Sequence, residues 1–130
     1  MKKSVEYLKE AKEALGCESD YQLAKALKTH QQNISRYMAG DSQMDDYHCI
    51  RVAQVLGIDP MEIIAAAQEE REKSEEKKEF WRDFRTARER EKGLALVPML
   101  IMMAMVAIAL LSLKFPEAVY IMSNNEYSSI

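Results

Sequence analysis

Residues 94–113 carry no charged side chain. These 20 positions hold six Leu, four Met, four Ala, two Ile, two Val, one Pro and one Ser, with no polar stripe at helical spacing. As a helix, a run of this length reaches about 30 Å, the thickness of a bilayer's hydrocarbon core. A core helix of a soluble domain keeps a polar face for solvent. This one has none, so a single transmembrane helix is expected, with the buried core of an oligomer as the alternative. Pro98 falls in the first turns of the run, where a missing amide does little harm. The stretch before it holds Lys78, Arg82, Arg85, Arg88, Arg90 and Lys92, and only Lys114 follows closely. Basic residues stay on the cytoplasmic side. The expectation is therefore a single-pass inner-membrane protein with its N-terminal domain in the cytoplasm and residues 114–130 outside. That tail is too short for a folded domain, and residues 115–122 offer at most an interfacial or partner-binding segment.

The run leaves little room for the rest of the 130 residues: one small domain and a connector. Residues 1–66 carry 8 basic and 10 acidic side chains, and residues 67–93 carry 9 of each. The net charge of −3 excludes a globally basic nucleic-acid binder, so any nucleic-acid site must be local. An apolar content of 48% excludes a fully disordered chain. Cys17 and Cys49, with no CxxC spacing, read as reduced thiols and not as a disulfide scaffold. No apolar run follows Met1-Lys2-Lys3-Ser4, so no secretory signal is expected there.

Residues 1–66 show helical periods and punctuation throughout. Leu8, Ala11 and Leu15 share one helical face over residues 4–15, and Gly16 closes that helix. Ser19-Asp20-Tyr21-Gln22 has capping-box spacing and opens a short helix through Leu27, with Leu23, Ala24 and Leu27 inward. Lys28-Thr29-His30 makes a turn. A third helix runs from Gln31 to Ala39 and stops at Gly40. Asp45 caps a fourth, whose apolar face is Cys49, Ile50, Val52, Ala53 and Leu56. Asp59-Pro60-Met61-Glu62 starts a fifth, with Asp as cap and Pro at the first helical position. No breaker then appears before Gly93, so one long charged helix is expected from Pro60, roughly 50 Å if continuous. Along it, Glu69–Lys73, Glu70–Lys73, Glu75–Lys78 and Glu79–Arg82 have the spacing of helix-surface ion pairs. Phe80, Trp81 and Phe84 form an aromatic cluster among arginines, suited to an anionic membrane surface, to a neighbouring subunit or to the domain itself. No strand-period segment precedes residue 114.

The stretch Gln22-Leu23-Ala24-Lys25-Ala26-Leu27-Lys28-Thr29-His30-Gln31-Gln32-Asn33-Ile34-Ser35-Arg36-Tyr37-Met38-Ala39-Gly40 resembles the helix-turn-helix of the lambda repressor and Cro family of phage regulators. The likeness continues through Ile50-Arg51-Val52-Ala53-Gln54-Val55-Leu56-Gly57-Ile58 and covers about residues 4–66. The whole chain resembles small prophage regulator-like proteins with a hydrophobic C-terminal segment. This likeness implies an all-α chain: a five-helix lambda-repressor-like domain at 1–66, a charged helical connector at 67–93, a transmembrane helix at 94–113 and a short outer tail.

With Ile34 central to the buried face of the third helix, Gln32, Ser35, Arg36 and Ala39 point outward at about 100° per residue. Gln pairs bidentately with adenine and Arg with guanine in the major groove. The resemblance carries base reading to Gln31, Gln32 and Arg36. Lys28, His30, Asn33 and Ser35 complete the expected DNA-binding set. Three departures stand out: Lys28 occupies a turn position usually held by Gly, Asp20 sits where relatives touch a phosphate, and Asp41, Asp45 and Asp46 make the following loop acidic. Acids repel phosphates, so a monomer should bind weakly and a homodimer is expected.

Catalysis finds no support. His48 and Cys49 are adjacent and point about 100° apart on a helix, so they share no metal site. No Ser-His-acid set, Gly-rich phosphate loop or metal cluster is visible, and no cofactor is expected. The expectation is a membrane-tethered, sequence-specific regulator acting on double-stranded DNA. The alternative is a membrane scaffold whose helix-turn-helix fold binds a protein, as in bacterial cell-shape proteins of similar layout.

Overall fold

The computed structural model of the chain describes residues 1–114, all of its regular structure being helical: α1 (Ser4–Ala14), α2 (Asp20–Ala26), α3 (Gln31–Ala39), α4 (Asp46–Leu56), α5 (Pro60–Arg71) and α6 (Glu75–Lys114). The tail segment 115–122 lies outside the described residues. The chain divides into two compact units, Met1–Arg88 and a second beginning at Glu89.

Punctuation residues set the first unit's boundaries. The side chains of Ser19, Asp45 and Asp59 accept the backbone N–H groups of Gln22, His48 and Met61, covering amides that a helix start leaves open. At the C-terminal ends, four residues turn left-handed: Gly16, Gly40, Gly57 and Lys28. Around Lys28 the Thr29 N–H returns to the Ala24 carbonyl at 2.9 Å and the Lys28 N–H to Lys25 at 3.2 Å, closing α2 as a glycine would. The capping box expected at Ser19 is only half formed. The Gln22 side chain accepts from the Glu18 N–H instead, one residue outside the cap.

The core gathers Leu8 and Ala11 of α1, Leu23, Ala24 and Leu27 around α2, Ile34 and Tyr37 of α3, Cys49, Val52 and Ala53 of α4, and Ile63, Ala66 and Ala67 of α5. α1 packs against α3, α4 and α5, α2 against α3, and α4 against α5. Two expected core residues are not there. Leu15 is 41% exposed and Ile50 is 40% exposed. Leu15 lies past the last helical turn, at the C-cap, and Tyr7 is buried on α1's inner face in addition to Leu8 and Ala11. Ile50 follows Cys49 by 100° and falls on the outer side of α4. Met44, in the loop before α4, is buried instead.

The expected unbroken helix from Pro60 to Gly93 is two helices. α5 ends at Arg71, and Glu72 is extended at φ −68°, ψ 134°. α6 restarts after Ser74, whose carbonyl accepts the Lys78 N–H, with Glu75 and Glu76 in its first turn. Ser followed by two acids is a helix-start signal favoured by the helix dipole. The break lets arginine side chains in the first turns of α6 reach back to α5 and to the residue before it. Near the end of α5, Glu69 takes Arg85 at 2.6 Å and Arg82 at 3.2 Å, and before its start Asp59 takes Arg88. Arg85 is 8% exposed and also donates to the Lys2 carbonyl. These tertiary pairs replace the four expected local ones. Glu70 likewise bonds the Ser4 N–H and hydroxyl. The aromatic cluster does form, with ring centroids 5.5 Å apart for Phe80–Trp81 and 5.8 Å for Trp81–Phe84.

In the second unit α6 continues to Lys114 and every described side chain is exposed. Gly93, expected to end the helix, lies inside it. So does Pro98, more than six turns from the helix start, where its ring removes an interior hydrogen bond and crowds the carbonyl of Leu94. The apolar stretch is long enough to cross a membrane once, and none of it is buried within the chain. An exposed apolar surface of this extent is not stable in water, so a cover outside the chain is required.

Candidate nucleic-acid interface

α3 is anchored from beneath by Ile34, fully buried, and by Tyr37 at 9% exposure. Gln31, Gln32, Ser35, Arg36 and Ala39 are exposed, on the outward arc that helical spacing assigns them. Gln31 and Gln32 lie in the first turn of α3 and Arg36 in its last turn. Two carboxamides, a hydroxyl and a guanidinium therefore stand on one short helix, each able to make directional hydrogen bonds to a planar edge. His30 is the N-cap of α3, exposed, and makes no side-chain cap bond. Lys28, at φ 56°, is exposed on the turn between α2 and α3.

Asn33 is placed differently from its neighbours. It is half-buried, and its Nδ2 donates to Thr29 Oγ1 at 3.1 Å. Thr29 Oγ1 lies 2.7 Å from His48 Nε2, and His48 Nδ1 lies 2.5 Å from Asp45 Oδ1 and 3.2 Å from the Tyr37 hydroxyl. Burial alone would raise the Asp45 carboxyl. The backbone N–H and ring of His48 outweigh it and hold the carboxyl below the usual carboxylate range. A carboxylate only accepts, so Nδ1 carries the ring proton and Nε2 faces the Thr29 hydroxyl. Burial, then the Asp45 charge, push the Tyr37 phenol up. One partly buried chain of polar groups thus joins the turn, α3 and the cap of α4. The signal was present in the sequence as Asp45 three residues before His48; the partners Thr29 and Tyr37, 19 and 11 residues from His48, were not readable from it.

The loop after α3 is held as well as capped. The Met44 carbonyl accepts Arg71 Nη2 at 2.9 Å and the Cys49 thiol at 3.7 Å. Asp41, just after α3, and Asp46, in the first turn of α4, are exposed, and Asp45 is exposed too although His48 engages it. Asp20 is bonded by Lys12 at 3.1 Å, which offsets its charge at the start of α2. The Lys25 ammonium sits 4.9 Å from the Tyr21 ring centre. The exposed charges from Lys25 of α2 through the first turn of α4 are therefore Lys25, Lys28 and Arg36 against Asp41, Asp45 and Asp46.

The remaining chemistry-bearing side chains are engaged elsewhere. Both ring nitrogens of His48 have partners. Burial, then Asp46 and Asp45, push the Cys49 thiol up to about 12, so it is a core thiol and not a nucleophile. Among the described residues no group of His, Cys, Asp and Glu is placed to hold a metal ion. The chain matches no family model, no curated protein and no solved structure, and stands as a small all-helical protein with five short helices and a long apolar C-terminal helix.

Proposed function

We propose that this chain is a sequence-specific DNA-binding regulator of phage or prophage type, tethered to the inner membrane by residues 94–113 with its N-terminal unit in the cytoplasm. The observation that carries the reading is α3: a short helix pinned by Ile34 and Tyr37, entered by a tight turn, presenting Gln31, Gln32, Ser35 and Arg36 outward. Such a helix fits the major groove, where Gln and Arg distinguish adenine and guanine by paired hydrogen bonds. α2 and α3 form the helix-turn-helix of a lambda-repressor-like domain, and Lys28 and His30 reach backbone phosphates. With three exposed acids in the loop after α3 and the first turn of α4, one copy binds weakly. Pairing of copies, concentrated by the shared membrane, compensates.

Selection from randomised duplexes by the full chain in detergent tests the reading. A two-fold symmetric motif is expected to emerge. No retention of any duplex at low salt, where phosphate attraction is strongest, contradicts it.

The exposed Asp41 and Asp46 favour a second reading, in which the same face docks a basic protein partner at the membrane. Cross-linking from Ser35 to a protein in place of DNA would favour it.

A further inference from the structure

We infer that the first unit holds a second binding site, for a phosphate-bearing small molecule or headgroup, in the cleft between the chain's first residues, the end of α5 and the first turns of α6. The cleft encloses about 400 Å³, within the usual size range of small-ligand sites. Its lining residues include five cationic ones, Lys2, Lys3, Lys78, Arg82 and Arg85, against two acidic ones, Glu69 and Glu70. The whole chain is acidic by three charges, so this is a local reversal of its field.

Both carboxylates are already engaged. Glu69 is bridged by Arg85 and Arg82. Burial alone would raise its carboxyl, but those two guanidinium groups hold it below the usual range. Glu70 accepts the Ser4 N–H at 3.0 Å and the Ser4 hydroxyl. Lys2 is turned away to Glu10 and the Tyr7 ring. Lys3 and Lys78 line the cleft with no acidic partner among the described residues. Arg85 is 8% exposed, and Arg82 is half-exposed with donors to spare. Two uncommitted ammonium groups and an exposed guanidinium edge about one cavity ask for a compact anion with several acceptor oxygens. Phosphate has that chemistry. The cavity exceeds a bare phosphate, so the ligand carries an organic group, either in solution or as a lipid headgroup. The site involves no residue of α3 and does not depend on the DNA-binding reading.

The test is calorimetric titration of the full chain in phosphatidylcholine nanodiscs with inorganic phosphate and with glycerol 3-phosphate, at low ionic strength. A second arm uses nanodiscs containing phosphatidic acid. Lys3→Gln and Lys78→Gln remove the two free ammonium groups, singly and together. Lys9→Gln removes the same charge from the exposed outer face of α1. None of these side chains carries a hydrogen bond that folding needs, and helicity and melting serve as the check. Saturable one-to-one binding is expected, weakened about tenfold or more in the double variant and unchanged by Lys9→Gln. If phosphatidic acid in the disc abolishes binding of the soluble ligand in the wild type, the source is a headgroup. If it does not, the source is soluble, and both outcomes support the site. Absence of saturable binding of either soluble ligand to the wild type in phosphatidylcholine discs, or equal weakening by Lys9→Gln, overturns it.

Discussion

Lys28 sits at φ 56°, in the left-handed region where a side chain crowds the following carbonyl. The three comparable helix ends carry Gly16, Gly40 and Gly57. Lys28→Gly should therefore raise stability by about 1 kcal/mol, read by chemical denaturation, because relief of strain exceeds the added freedom of the unfolded chain. If Lys28 also meets a phosphate, the same variant weakens binding to random DNA and reduces its salt dependence. A stabilised protein with unchanged DNA affinity would place Lys28 off the backbone. A second pair of residues separates reading from positioning. Gln32 is exposed, whereas Asn33 is tied to Thr29 and, through it, to His48. Gln32→Ala should cost about 1–3 kcal/mol on a selected duplex and relax preference at one base pair. Asn33→Ala should lower affinity while leaving the base preferences as they were, since it loosens α3 without removing a base contact. Relaxed preference at a position in Asn33→Ala would make it a reader.

At the scale of elements, what was legible in the sequence was local. Ser19, Asp45, Asp59 and Gly40 mark helix ends through hydrogen bonds to residues two to four positions away, so their neighbours in sequence announce them. The outward residues of α3 follow from Ile34 and a fixed helical angle. The links from α6 back to α5 were not legible, because they rest on Arg85 and Glu69, 16 residues apart, and on Arg88 and Asp59, 29 apart. Local spacing offered the same charges nearer partners. Ser74 with Glu75 and Glu76 was the available sign of a break. These links are ion pairs, and that has a consequence in acid. Asp45 and Glu69 have carboxyls lowered in the folded state by His48 and by the arginines. A carboxyl that is more acidic when folded stabilises fully above the unfolded value of about 4 and loses that contribution as pH falls through the folded value. The melting temperature of the full chain in detergent should hold from pH 7 to about 5 and fall progressively below about 4. In Asp45→Asn and Glu69→Gln the fall should be shallower. Equal slopes in the variants and the wild type would mean that other carboxyls govern acid unfolding.

At the scale of the whole molecule, the apolar half of α6 decides where the rest can act. Its residues are exposed along the chain, and a bilayer would supply the missing cover without a partner. Arg is unfavourable at the centre of a span by about 2.5–3.5 kcal/mol per residue. Ala104→Arg together with Ile108→Arg should move the protein from the membrane to the soluble fraction on cell fractionation. A wild-type chain that is soluble without detergent would instead make this helix the core of an oligomer. Tethering and sequence reading together form the central claim, and one flotation experiment reads both. The full chain is reconstituted in phosphatidylcholine vesicles, mixed with a pool of randomised duplexes at moderate salt and floated through a density gradient, and the DNA in the floating layer is sequenced. The account predicts that protein and DNA float together and that the recovered duplexes are enriched in a two-fold symmetric motif, with the enrichment lost in Gln32→Ala. Protein that floats while the DNA stays below, or DNA that floats without enrichment, would contradict it.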